Sequence, residues 1–303
     1  MEEFNQENLL TPQPKSERYK PLPFTIFVLL AIFFLYQVVG GGITLWIFGT
    51  SVTQENVQAM RIATMIAQIM FLFIPTLLLI KQQHGTFANC LPRRIPTTAE
   101  IILTIVGVFS LQQILQVYMY FQEKIPLPHV IEPFVEQMKK MIEETYRVLA
   151  LAQSTPELLL IIVVVALTPS LCEEFLFRAL VQKNFSLATN KKIGFILTGI
   201  IFAMYHLNPF LIIPLMVLGI YFSFLSYRSE TIILPIIAHF TNNCSSIVGL
   251  YMEQHSNLSD VPLISDVAQI SLSEIVPIAV GAIIIFSISF YFYLKITSSI
   301  SEK

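Results

Sequence analysis

Long apolar runs, bounded by charges, prolines and asparagines, set the rhythm of this chain. Eight of them stand out: Phe24–Phe48, Ile62–Ile80, Ala99–Phe121, Glu157–Val181, Ile193–Tyr205, Phe210–Tyr227, Ile232–Val248 and Ile275–Ile296. The runs are continuously apolar and do not alternate, so they predict helices and exclude a β-barrel. A membrane-spanning helix needs about 20 apolar residues, and most of the runs meet that length. The fifth is short, and Asn208–Pro209 forces a tight turn after it. The expected fold class is therefore all-α, a polytopic membrane bundle of about eight transmembrane helices.

A different pattern occupies the loop before the fourth run. Phe134, Met138, Met141, Ile142 and Leu149 recur at helical spacing, with Glu136, Lys139, Lys140, Glu143 and Glu144 between them. This predicts an amphipathic helix at about 132–152, lying at the membrane interface. Its expected role is to cover the bundle, with a lid or substrate guide as the functional alternative. The expected organisation is then a flexible cytoplasmic tail over 1–20, N-terminal spans with the interfacial helix over 21–153, a core over 154–250, and an outer loop, last span and short tail over 251–303.

Composition agrees with the pattern. Of the 303 residues 54% are apolar and 13% charged, about half the charge of an ordinary soluble domain. The 24 Phe and 11 Tyr exclude disorder for most of the chain. A net charge of −2 leaves no basic footprint, so no nucleic-acid partner is expected. Cys90, Cys172 and Cys244 are scattered, form no CxxC pair, and read as buried apolar thiols. No cleavable signal is evident, and the first run reads as a retained anchor.

Orientation follows from Lys and Arg in the loops. With the N-terminus inside, the inner segments hold twelve: Lys15, Arg18, Lys20, Lys81, Arg93, Arg94, Lys183, Lys191, Lys192, Arg228, Lys295 and Lys303. The outer segments hold five: Arg61, Lys124, Lys139, Lys140 and Arg147. The last outer loop, Tyr251–Glu274, carries only acids. Both termini are expected in the cytoplasm, in a multi-pass protein of the cell membrane.

Polar residues inside the spans then stand out. The fourth run holds Glu173, Glu174 and Arg178, the fifth ends in Tyr205 and His206, and the seventh holds His239, Asn242 and Asn243. Each ionisable group at mid-membrane costs about 2.5–3.5 kcal/mol on insertion scales, and such groups usually face one another or a water-filled cavity. A lone intramembrane histidine is more often a packing residue, and a lone Glu–Arg pair a structural bridge. Three spans bearing the cost together point to one site, buried between the fourth, fifth and seventh helices.

Helix geometry sorts these groups. Glu174 and Arg178 are four apart and share a face, which predicts an internal ion pair. Glu173 points about 100° away and is the freer carboxylate. Phe202 shares a face with His206, and His239 with Asn243. From the nearest inner cation, Glu173 lies about 15 Å deep, His239 about 16 Å and His206 about 21 Å. A shortened or tilted fifth span brings His206 level.

A carboxylate in a dry site is a general base towards water, and two imidazoles with an amide are donors for a developing oxyanion. Glutamate, two histidines and asparagine therefore suffice for peptide hydrolysis by an activated water. Glu173, His206 and His239 are also zinc-type ligands. No HExxH spacing is present, and no GxSxG elbow frames Ser170.

In these residues the chain resembles the CPBP intramembrane proteases, also called the Abi or CAAX-protease family. The family motifs EExxxR, FxxxH and HxxxN read here as Glu173–Glu174 with Arg178, Phe202 with His206, and His239 with Asn243, in family order. Leu218–Gly219–Ile220–Tyr221 and the run from Arg228 to His239 are similar to the family's connection between these spans. The resemblance covers about Leu158–Val248. Two positions depart from the pattern: Ala179 replaces a frequent glycine after the motif arginine, and Ser229–Glu230–Thr231 replaces the usual Gly-Ser of a later turn. The resemblance implies that Glu173 activates water and His206 positions water or substrate. It further implies that His239 and Asn243 stabilise the oxyanion, while Glu174, Arg178 and Phe202 orient the site. A metal-free glutamate mechanism is favoured over the zinc alternative, so no cofactor is expected.

The expected function is an intramembrane endopeptidase acting on a membrane-associated peptide or protein that enters from the membrane or its cytoplasmic side. Prenylated C-termini, peptide maturation, bacteriocin processing and self-immunity all suit such a site. Membrane lipid is the other expected partner. A non-catalytic membrane regulator or scaffold is the alternative, and a proton-coupled transporter a weaker one, since no inverted repeat is visible.

Overall fold

The computed structural model describes residues 17–49, 52–87, 91, 94–255 and 271–298. Most of the expected cytoplasmic tail and of the outer loop Tyr251–Glu274, together with Cys90, lies outside the described residues. Nine helices fill the described chain: α1 Pro21–Phe48, α2 Val57–His84, α3 Thr98–Glu123, α4 Glu132–Ala150, α5 Thr155–Ala188, α6 Lys191–Tyr205, α7 Ile212–Ser229, α8 Ile233–His255 and α9 Leu272–Ile296. The protein is an all-α polytopic bundle. Seven of these helices, all except α4 and α6, are long and apolar enough to cross a membrane. Exposed Ile278, Ile283, Ile284 and Ile288 on α9 show the kind of surface that hydrocarbon covers.

The short fifth run is α6, with 15 residues and a length of about 22 Å. Asn190 starts it, its side chain accepting a hydrogen bond from the Ile193 amide at 2.9 Å. It stops at His206, because Leu207 turns left-handed (φ 49°) and Asn208 Oδ1 accepts the Phe210 and Leu211 amides at 3.1 and 3.3 Å. The expected turn at Asn208–Pro209 is therefore present, and its asparagine side chain holds it.

Four wide π-helical turns interrupt the spans around the polar residues: Phe34–Gly40 in α1, Gln68–Phe73 in α2, and Ile162–Leu167 and Phe175–Val181 in α5. Two have a direct cause. Pro75 and Pro169 follow the second and third turns. A proline inside a helix lacks an N–H and crowds the preceding turn, and a widened turn accommodates it.

Helix α5 is central. The π turns of α1 and α2 pack against each other, and that of α2 also touches Thr168–Glu174 of α5. On its other side α5 meets α8, while α3 packs on α8 and α9. One core joins Val28, Ile32, Leu72, Leu176, Phe177 and Phe202, and a second joins Leu111, Phe222, Leu234 and Tyr293. Lipid tails are as apolar as leucine, so burying these side chains holds membrane helices together mainly through close packing and interhelical hydrogen bonds.

Both devices are visible. A Cβ on Gly199 would lie 2.4 Å from the Ile220 amide nitrogen, and one on Gly219 would lie 2.7 Å from the Gly199 carbonyl. Glycine is required there because α6 and α7 touch backbone to backbone. Gly199→Leu is expected to lower the thermal unfolding midpoint in detergent, overpacking of this kind costing about 1–3 kcal/mol or more. An unchanged midpoint would show that the two helices part without cost. A polar node ties other ends together: Glu100, 1% exposed, accepts hydrogen bonds from Arg94, Thr97 and Ser229, and Ser229 also meets the Tyr293 hydroxyl. The departure at Ser229–Glu230–Thr231 also has a structural consequence. Glu230 ends α7 in the left-handed region (φ 49°) that glycine adopts most easily.

Candidate active site

Of the seven residues singled out from the sequence, six lie on α5, α6 and α8, and His206 caps the end of α6. Glu174 faces the interior and is fully buried. Its Oε2 lies 2.9 Å from Arg178 Nε, close enough for an ion pair although that N–H is not aligned as a hydrogen bond. Its Oε1 accepts a hydrogen bond from His239 Nδ1 at 2.8 Å. The expected Glu174–Arg178 pair is thus a three-member chain that includes the histidine of α8.

Arg178 is enclosed by rings. Its guanidinium lies 4.8 Å from the Phe202 centroid and 5.7 and 5.8 Å from those of Phe222 and Phe177, and Nη2 donates to the Gly219 carbonyl at 3.2 Å. The tight α6–α7 crossing brings that carbonyl within reach. Phe202, 2% exposed, also contacts both histidine rings, at 4.6 Å for His206 and 5.7 Å for His239. A single aromatic side chain therefore spaces the three charged or polar groups around it.

Glu173 lies on the other side of α5, and its side chain is 13% exposed. Its Oε2 has no hydrogen-bond partner and lies 3.8 Å from His206 Nε2. That is too long for a hydrogen bond. The His206 Nδ1 donates to the Phe202 carbonyl at 2.8 Å. A carbonyl only accepts, so this contact fixes the tautomer and leaves Nε2 towards Glu173. His206, 26% exposed, is the C-cap of α6, which is how it reaches the level of Glu173. Helix α1 braces this end, since the Tyr205 hydroxyl donates to the Leu29 carbonyl and Gln37 Nε2 to the Tyr205 carbonyl at 3.2 Å.

Asn243 sits one turn beyond His239 but is engaged elsewhere. Its Nδ2 donates to the Val165 carbonyl at 3.2 Å, and its Oδ1 accepts from Asn242 at 3.1 Å. Val165 belongs to a π turn, whose widened backbone leaves a carbonyl for a side chain to satisfy. One N–H of the Asn243 amide remains uncommitted in these contacts.

Among the described residues, no three His, Cys, Asp or Glu side chains converge as a metal-binding group. Glu173, His206 and His239 are not such a set.

Sequence reasoning missed three residues that pack on or pair with α5. Arg61, counted above as an outer-loop cation, is instead part of α2 and 1% exposed. It pairs with Glu157 of α5 and donates to the carbonyls of Val148, Leu149 and Leu151 at the end of α4. Tyr36 of α1 packs on the core that holds Cys172 and Leu176 of α5, and Gln68 lies in the π turn of α2 that packs on the same helix. The available signal was weak: single polar residues in apolar runs, with no spacing relation to the motifs.

Residues 155–245 match the family model described as Type II CAAX prenyl endopeptidase Rce1-like, which is the CPBP/Abi family. The match covers under a third of the chain and spans all seven motif residues. No curated protein and no solved structure matches the chain.

Proposed function

We propose, from a family match that contains every motif residue, that this chain is an intramembrane endopeptidase in which Glu173 activates the hydrolytic water. The observation that carries the reading is the approach of the buried, unpartnered Glu173 Oε2 to His206 Nε2 across 3.8 Å, between two side chains that are themselves partly exposed. A bridging water suits two polar groups too far apart for a direct hydrogen bond. Glu174, Arg178 and His239 form the sealed layer behind it.

In the first step Glu173 takes a proton from the water while its oxygen attacks the scissile carbonyl carbon. The carbonyl π electrons move to oxygen. His239, oriented through Nδ1 by Glu174, presents Nε2–H to that oxyanion when protonated, and the second amide hydrogen of Asn243 is the other donor. The C–N bond then breaks, and Glu173 returns the proton to the leaving amine. His206 holds the water and keeps Glu173 oriented. No step requires a metal.

The substrate proposed is a membrane-associated peptide or protein with a prenylated C-terminal C-a-a-X sequence. The bundle lies in the cell membrane with both termini cytoplasmic. The test is the purified full chain in proteoliposomes with a prenylated C-a-a-X peptide, cleavage being read by mass spectrometry. Peptide-bond hydrolysis is expected. No hydrolysis of this peptide or of the membrane peptidome would sink the proposal. Cleavage is also expected to survive a strong zinc chelator. Loss of cleavage on chelation, with rescue by zinc, would transfer the mechanism to a metal.

A further inference from the structure

Three side-chain amides run in series from α3 across α8 to α5. Gln112 lies near the middle of α3, outside the family-matched segment, and Asn242 and Asn243 are neighbours in α8. The two helices pack along each other, and each is long and apolar enough to span a membrane. Gln112 Nε2 donates to Asn242 Oδ1 at 3.1 Å and to the Asn242 backbone carbonyl at 3.0 Å. Asn242 Nδ2 donates to Asn243 Oδ1 at 3.1 Å, and Asn243 Nδ2 to the Val165 carbonyl at 3.2 Å. At the other end the Ser245 hydroxyl donates to Gln112 Oε1 at 3.0 Å. It also lies 3.0 Å from the Asn242 carbonyl.

The series has one direction. A backbone carbonyl only accepts, so Val165 takes the NH2 of Asn243 and turns the Asn243 oxygen to Asn242. Asn242 must then present its NH2 there, and its oxygen to Gln112. The Asn242 backbone carbonyl also needs a donor, and the two hydrogens of the Gln112 NH2 serve both acceptors. The Gln112 oxygen is left for the Ser245 hydroxyl. Turning any one amide over sets oxygen against oxygen or NH2 against NH2. In apolar spans little water is at hand to repair such a mismatch, so it is costly. The orientation of Asn243 is therefore set from both sides, by a π-turn carbonyl of α5 and by a glutamine of a helix that carries no motif residue.

We propose that Gln112 is a positioning residue for the hydrolysis, acting through Asn242 to hold the Asn243 amide with its second N–H free for the oxyanion. The assignment rests on the proposed proteolytic function and on the donor role of Asn243 in it, and adds the part that fixes that donor. Without Gln112, Asn242 is free to turn its oxygen towards Asn243. Asn243 then either keeps its Val165 bond against a facing oxygen or turns over and offers the oxyanion an oxygen in place of an N–H. An oxyanion donor contributes by being aimed before the reaction, so a donor that can turn stabilises less. Ser246 is the contrast: its hydroxyl donates to the Asn242 backbone carbonyl at 3.1 Å and not to the side-chain amides.

The experiment measures kcat and KM of the full chain in proteoliposomes on the prenylated C-a-a-X peptide, for wild type, Gln112→Leu, Asn243→Ala, the double variant and Ser246→Ala. Gln112→Leu is expected to lower kcat about tenfold, a part of the roughly hundred- to thousandfold that an oxyanion donor is worth, with KM within about twofold. In the Asn243→Ala background the same substitution is expected to change kcat by less than about twofold, because the group it acts through is gone. Ser246→Ala is expected to leave kcat unchanged. Loss of folded protein lowers kcat by one factor in both backgrounds, so equal factors overturn the relay and leave the proteolytic reading standing. Slowing by Ser246→Ala as large as that by Gln112→Leu does the same. The relay is also read without cleavage, by NMR of the full chain isotopically labelled at its asparagine side-chain amides. The Asn243 signals, identified by their loss in Asn243→Ala, are expected to shift in Gln112→Leu and to stay in place in Ser246→Ala. Asn243 signals that do not move in Gln112→Leu overturn the relay. A wild-type chain that cleaves nothing overturns the proteolytic reading, while shifted Asn243 signals still support the relay.

Discussion

Glu173→Gln is expected to lower cleavage about a hundred- to ten-thousandfold, the range that general-base catalysis supplies, and to leave folding intact. The substitution keeps the shape of the side chain and removes its basicity. The Glu173 side chain is partly buried and its Oε2 has no hydrogen-bond partner, so no structural bond is lost with the charge. Initial rates on the prenylated peptide, with an unfolding curve on the same preparation, check both halves. Full activity would rule out Glu173 as the base. A collapsed unfolding midpoint would show that the carboxylate has a structural role instead. His206→Gln is the natural companion, since it keeps a polar group beside Glu173 but loses the ring nitrogen fixed by the Phe202 carbonyl.

The second large effect is on stability. Arg178→Met is expected to cost about 3–5 kcal/mol, because it strands the fully buried Glu174 carboxylate without its cation. His239 remains as the other partner, but it is then asked to balance the charge alone. Methionine has a similar length and sits well among Phe177, Phe202 and Phe222, so the deficit is electrostatic and not a cavity. The double variant Glu174→Gln with Arg178→Met removes both charges and keeps an amide oxygen for His239 Nδ1. Most of the lost stability is expected to return in it, because an apolar replacement of a buried ion pair is often neutral. Unfolding midpoints of wild type, both single variants and the double variant measure the coupling. A double variant as unstable as Arg178→Met would show that the arginine holds α5 by its ring contacts and its bond to Gly219, not by charge.

Much of this site was readable along single helices. The four-residue spacing of Glu174 and Arg178 gave their pair, and the angular step to Glu173 gave the separate, freer carboxylate. Both relations lie within one helix and depend only on its pitch. The turn at Asn208–Pro209 was also legible, and it explains how a short α6 sets His206 level with Glu173. The contact of His239 with Glu174 was not legible, nor was the commitment of Asn243 to the Val165 carbonyl. Each depends on how α8 is rotated and offset against a π-widened α5, which no periodicity within either helix records.

Arg61 shows the same limit from the other side. Counting cations in loops placed it in solvent, because it stands at the edge of an apolar run. The structure buries it, since its fork finds Glu157 and three helix-end carbonyls that come from distant parts of the chain. Tyr36 and Gln68 escaped for a related reason: each is a polar side chain within an apolar run, and only packing brings it against α5.

The sequence by itself determined the helical class, the membrane-length spans and which polar residues stand inside them, because apolar run length, helix pitch and the cost of buried charge are local quantities. The tertiary structure alone decided which atoms meet. Gly199 and Gly219 let α6 and α7 approach, that approach offers a carbonyl to Arg178, and the crossing of α5 with α8 turns a two-residue pair into the Arg178–Glu174–His239 chain. Distances between helices depend on crossing angles and widened turns that many side chains settle together, so they arise only when the whole bundle is packed.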